Sequence, residues 1–128
     1  MNGEQARSYF PSLPAAIEDF PFRPETPVFK IEYTMFGFLR HKEGVGNITL
    51  NCRPDEAMIM RDIFESVIPG YHMNKDHWNT VILDGGVPQE EIESMIDTSY
   101  SLVVQNSRKS DRLSLEINYG KNQIYPTK

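Results

Sequence analysis

Three strand-like runs follow one another between Val28 and Cys52 with only short turns between them, and this spacing constrains the fold most. In Val28–Tyr33, Phe29, Ile31 and Tyr33 alternate with Val28, Lys30 and Glu32, the period-two pattern of a half-buried strand. Met35–Arg40 is apolar on both sides and reads as a more central strand. The loop His41–Gly46 carries two glycines and turns the chain back. Asn47–Cys52 then alternates again, with Ile48, Leu50 and Cys52 facing in and Asn47, Thr49 and Asn51 facing out. Strands this close together leave no room for a crossover helix, so the sheet is antiparallel.

Helical signals flank this block. Residues 4–10 form a short helix that Pro11 and Pro14 end, because proline has no backbone N–H to donate. Pro54 opens a second helix, with Asp55 and Glu56 near its positive end and Met60, Ile63, Phe64 and Val67 as its buried stripe. Pro88 and Gln89 open a third, with Ile92, Met95, Ile96, Tyr100 and Val103 facing in. Leu113, Leu115, Ile117 and Tyr119 alternate with polar residues and predict an edge strand in the tail. The expected fold is α+β: a single antiparallel sheet, helices packed on one face and a wet polar face opposite. Residues 1–104 form the domain, and 105–128 are a C-terminal extension.

Composition narrows the function. With 128 residues the chain is long enough to bury a core without disulfides or metals. Its single cysteine, Cys52, suits a reducing compartment. The polar start lacks the pattern of a signal peptide, and no apolar run reaches bilayer length, so a cytoplasmic protein is expected. The net charge of −5 is uneven: residues 1–104 hold 8 basic against 16 acidic side chains, and residues 105–128 hold 5 against 2. Nucleic-acid binding would need a local patch or this basic tail.

The segment Pro69–Leu83, PGYHMNKDHWNTVIL, concentrates chemistry-bearing side chains. His72 and His77 are candidates for acid–base work or hydrogen bonding. Their spacing with Asp76 is not a recognisable zinc pattern, and no nucleophile, phosphate loop or paired carboxylates accompany them. No catalytic residue, metal set or cofactor is therefore assigned. Lys75 and Asn74 form a plausible phosphate grip, against the plainer reading of a turn asparagine beside a solvated lysine. Tyr71 is a candidate stacking platform, whereas Trp78 reads as core. Arg53 at the mouth of the second helix, and Lys30 and Arg23, would extend an anion-binding patch if the fold brought them near Lys75.

Pro69 to Lys75 followed by His77-Trp78, together with Glu18 to Phe22, Leu50-Asn51-Cys52 and Leu83-Asp84-Gly85, resembles the MmcQ/YjbR family of small bacterial proteins. The resemblance runs from about Phe10 to Val104. It implies a frataxin-like (CyaY-like) arrangement and a DNA-binding role. Two departures are Arg53, where the family often has an acidic residue or asparagine, and Pro11, where its first helix usually continues. The leading expectation is a non-catalytic DNA-binding accessory protein. A protein- or small-anion-binding module using the open sheet face and the 70–79 loop is the alternative, and a small histidine-dependent enzyme stands third.

Overall fold

The computed structural model describes residues 1–70 and 72–125. Helix α1 (Gly3–Tyr9) is capped by the Asn2 side chain, which accepts from the Gln5 N–H while Gln5 returns a bond to the Asn2 N–H. Pro11 then tightens the chain into a 3-10 turn, Phe10–Ser12, instead of letting the helix continue. Strands β1 (Ile17–Asp19), β2 (Val28–Ile31), β3 (Thr34–Lys42) and β4 (Val45–Asn51) follow. After them come α2 (Pro54–Ile63), β5 (Val67–Pro69), β6 (Trp78–Ile82), α3 (Gln89–Gln105), α4 (Lys109–Tyr119) and α5 (Lys121–Ile124).

All strand pairs are antiparallel, in the order β1-β2-β3-β4-β6-β5. Two-residue turns join β2 to β3 and β3 to β4. At the first, Glu32 and Tyr33 both adopt positive φ, 49° and 67°, conformations that asparagine or glycine usually supply. The expected strand therefore stops at Ile31, and Tyr33 is 92% exposed instead of facing in.

One face of the sheet carries the helices. Leu39, Ile48, Val81 and Val67 lie side by side across β3, β4, β6 and β5 and are all buried. Onto them packs the α3 stripe of Ile92, Ile96, Tyr100 and Val103, as its spacing predicted. Phe10 stacks on Phe29 with ring centroids 4.2 Å apart, and Phe36 meets Tyr100 edge-on at 5.4 Å. Strict alternation would send Phe36 to the same side as Phe38. The register shifts here: Phe29 faces Gly37 and Lys30 faces Met35, leaving Phe36 as an extra residue. Its carbonyl then accepts from the Ser99 hydroxyl, whose oxygen accepts from the Asn51 N–H at 3.0 Å.

Three expectations are corrected. The second face is not open: Val28, Phe38, Thr49 and Thr80 are buried there, and the two threonine hydroxyls bond each other at 2.8 Å. Polar alternation marks which way a side chain points, not whether loop covers it. In α2 the buried residue is Ala57, whereas Ile63 is 61% exposed, because the helix ends there and the chain leaves as β5. The tail's candidate edge strand, Leu113–Tyr119, is instead α4. Its alternation did not mark a face: Leu115 is buried, while Leu113 and Ile117 are exposed. Asp111 sits in its first turn, paired with Arg108, and Gly120 at φ 84° ends it. Leu115 and Ile124 join the main core, and Ser101 donates to the Ile124 carbonyl.

Candidate functional site

Two covering segments and one strand build a cavity of about 650 Å³ on the second face. The first segment leaves β1 at Asp19, and its prolines at 21, 24 and 27 keep it extended. It is pinned where the Thr26 N–H donates to the Arg23 carbonyl (3.1 Å) and the Leu39 N–H to the Pro27 carbonyl (3.0 Å). Pro27 and Thr26 are buried, while Phe22 and the Arg23–Glu25 pair (3.8 Å) stand exposed. Phe22, Arg23, Glu25 and Thr26 form one wall of the cavity.

The second segment is the loop between β5 and β6. Gly70 donates to the Trp78 carbonyl at 2.9 Å, so close that a Cβ on Gly70 would stand 2.6 Å from that of Trp78. Only glycine fits there. The Met73 N–H returns to the Gly70 carbonyl, and His72 takes positive φ (56°). Asn74 shapes the rest: its side-chain oxygen accepts from the Asp76 N–H (2.8 Å) and its carbonyl from the His77 N–H (3.1 Å). Arg61 of α2 donates to the Lys75 carbonyl (2.9 Å), and the Cys52 N–H to that of His77 (2.8 Å). His72 and Met73 close the cavity opposite Phe22, and Phe38, Arg40 and His41 of β3 complete it. Two arginines and His72 thus share a hollow whose other walls are Phe22, Phe38 and Met73, with Glu25 as its carboxylate, while His41 lies at its edge with its imidazole against Gly3 of α1.

The candidates named from sequence divide. His72 lines the cavity, as does Arg23. Asn74 is a turn former. Lys75 and His77 are exposed on the same loop, outside the cavity lining. Arg53 pairs with Glu56 (3.1 Å) at the start of α2, and Lys30 pairs with Asp19 (2.9 Å), holding the Asp19 carboxyl below its ordinary range. Tyr71 lies outside the described residues. Trp78 is half-buried in β6. Cys52 is also half-buried, and burial pushes its thiol up to about 11, against reactivity. Among the described residues, no three His, Cys, Asp or Glu side chains gather as a metal site would require. No helix is long and apolar enough to cross a membrane.

Arg40, His41 and Phe22 were not foreseen. The Arg40-His41 pair at a strand end was the available signal, but nothing in the sequence placed it under the 22–26 segment.

The YjbR family model matches residues 11–102. The chain is 34% identical over 109 residues to the Escherichia coli O157:H7 protein YbdF, spanning 85% of this chain and 89% of that one. It is 35% identical over 75 residues to YjbR of Escherichia coli K12, spanning 59% and 64%. Both are named as uncharacterized proteins, so neither name brings an activity. The crystal structure of a Deinococcus radiodurans protein with a DUF419 domain is similar with a TM-score of 0.79 and 35% identity, over 88% of this chain and 86% of that one. A Pseudomonas syringae protein follows with a TM-score of 0.70 and 28% identity, over 80% and 98%. The fold, the matched span and these relatives agree: the chain belongs to the YjbR family.

Proposed function

We propose that the protein is a binding module for a small organic anion, held in the cavity on the second face of the sheet. The observation that carries this reading is the grouping of Arg23, Arg40 and His72 around Phe22, Phe38 and Met73 in one hollow. Guanidinium and imidazole N–H groups suit phosphate or carboxylate oxygens. The aromatic and thioether walls suit an apolar body on the same ligand. A volume near 650 Å³ lies in the range that encloses molecules of drug or nucleotide size. Glu25 beside Arg23 sets a limit on charge: it disfavours a second anionic group at that wall.

The DNA-binding role implied by the family resemblance has less support. Lys30, Arg53 and Lys75 lie outside the cavity lining, and the chain's net charge is −5. Fluorescence titration with phenyl phosphate and with labelled single- and double-stranded DNA, at about 50 and about 200 mM salt, separates the two. Saturable phenyl phosphate binding, weakened at least about tenfold by Arg23→Ala, is expected from the loss of one charged hydrogen-bonding partner. Tight, steeply salt-dependent DNA binding that Lys75→Ala weakens, with no phenyl phosphate binding, would overturn the proposal in favour of DNA.

A further inference from the structure

On the helix face, α2 and α3 leave a narrow cleft over β4 and β6. Its floor is Leu50, Val81 and Asn79, and Met60 and Met95 stand at its sides. Asn79 is the anomaly. It is 3% exposed, and its amide is oriented because Nδ2 donates to the Ala57 carbonyl at 3.1 Å. Only nitrogen can make that bond, so Oδ1 is the atom left facing other surroundings. Oδ1 is buried and has no hydrogen-bond partner among the described residues. A buried acceptor left unmatched costs free energy, and proteins rarely keep one without a reason. The neighbouring groups do not supply the missing donor. Cys52, Ser94 and Thr98 line the cleft but do not bond it, and Glu56 at the same site offers only acceptors when ionised.

We propose that this cleft is a second binding site, for a thin neutral molecule that places one O–H or N–H donor on Asn79 Oδ1 and an apolar chain between Met60 and Met95. The ligand class follows from the lining. An anion would meet Glu56 and an acceptor already rich in electron density. A bulky ring would not enter a cleft whose free volume is about 50 Å³, enough for a few water-sized groups. A straight chain fits, and the two methionines adapt to it because thioether side chains repack at low cost. Primary alcohols and primary amides have this shape. The site lies on the opposite face of the sheet from the anion cavity and does not depend on it.

The test compares two isomers that differ in the donor alone, 1-butanol and methyl propyl ether, by titration of isotopically labelled protein followed by NMR. The expected result is saturable movement of the Asn79 side-chain amide and Cys52 backbone resonances with butanol. The ether binds at least about tenfold more weakly, the discrimination expected when a buried acceptor is left unpaired. Asn79→Leu abolishes the preference. Should that variant fail to fold, the wild type gives a second readout: nuclear Overhauser contacts from the butanol chain to the Met60 and Met95 methyl groups, present with butanol and absent or much weaker with the ether. Equal binding of both isomers, or no saturable response to either, would mean that Oδ1 holds no ligand and would overturn the proposal.

Discussion

The two faces of one sheet are built by different rules. The helix face is mainly aliphatic and aromatic and local in its logic: apart from Phe36 at its bulge, most of its buried residues recur at the spacing of their own helix or strand. The second face is covered by two irregular stretches, 20–27 and the described residues 70 and 72–77, fixed by backbone hydrogen bonds and by residues with few alternatives, such as Gly70. Its charged groups come from three separate stretches of chain. The first face supplies most of the stability; the second gathers the charged groups. Substitutions should separate them.

The largest effect is expected at the core. Phe29→Ala removes a ring stacked on Phe10 and should cost about 3–5 kcal/mol in urea denaturation. A loss below about 1 kcal/mol would mean that the stack is not a main support. Ser99→Ala breaks the link between Phe36 and Asn51 and should cost about 1–3 kcal/mol, since it strands a buried carbonyl and an N–H. A cost near zero would show that the bulge at Phe36 holds without it.

The turn at Glu32-Tyr33 sharpens the comparison from the other side. Replacing the pair with Asn-Gly relieves two left-handed non-glycine residues and should raise stability by about 1 kcal/mol or more. An unchanged thermal midpoint would indicate that the turn carries no strain. Phe22→Ala, at a position 66% exposed, should change stability by less than about 0.5 kcal/mol while weakening phenyl phosphate binding. A matching fall in stability would join the two faces that are here separated.

The smallest effect is acid-dependent. Hydrogen bonds from the Ser66 hydroxyl, first, and the Gly86 N–H hold the Asp84 carboxyl below its ordinary range. A folded pKa below the unfolded value near 3.9 gives stability that is complete above that value. That stability is lost as pH falls through the folded pKa. Asp84→Asn should therefore narrow the stability gap between neutral and strongly acidic solution, seen in denaturation midpoints at the two pH values. An unaltered gap would assign the acid dependence elsewhere.

The difference between the faces also explains what the sequence made legible. The α3 stripe and the hairpin β3–β4 were readable because periodicity reports burial against a neighbour close in sequence. The family was readable from the 69–78 segment because its residue types are fixed by a demanding loop: Gly70 by contact with Trp78, Asn74 by its turn. The direction of Phe36 was not legible because Met35–Arg40 is apolar on both sides, and the bulge that turns Phe36 into the core leaves no mark in residue type. The tail was misread because Leu113 to Tyr119 satisfies a period of two, while what decides the helix is tertiary: Leu115 and Ile124 join the main core, and α5 meets α3 where Ser101 donates to the Ile124 carbonyl. The site was half legible. His72 and Arg23 were named, but Arg40 meets them only after β3 passes beneath the 22–26 segment, a juxtaposition that no local pattern encodes.

The most direct test is to map phenyl phosphate onto the backbone amides by NMR in wild type and Arg23→Ala. Saturable shifts confined to residues 22–26, 38–41 and 72–73, weakened in the variant with its denaturation midpoint unchanged, are the expected result. Shifts centred on Lys75, Arg53 or the 108–121 helices, or none at all, would contradict an anion site on the second face.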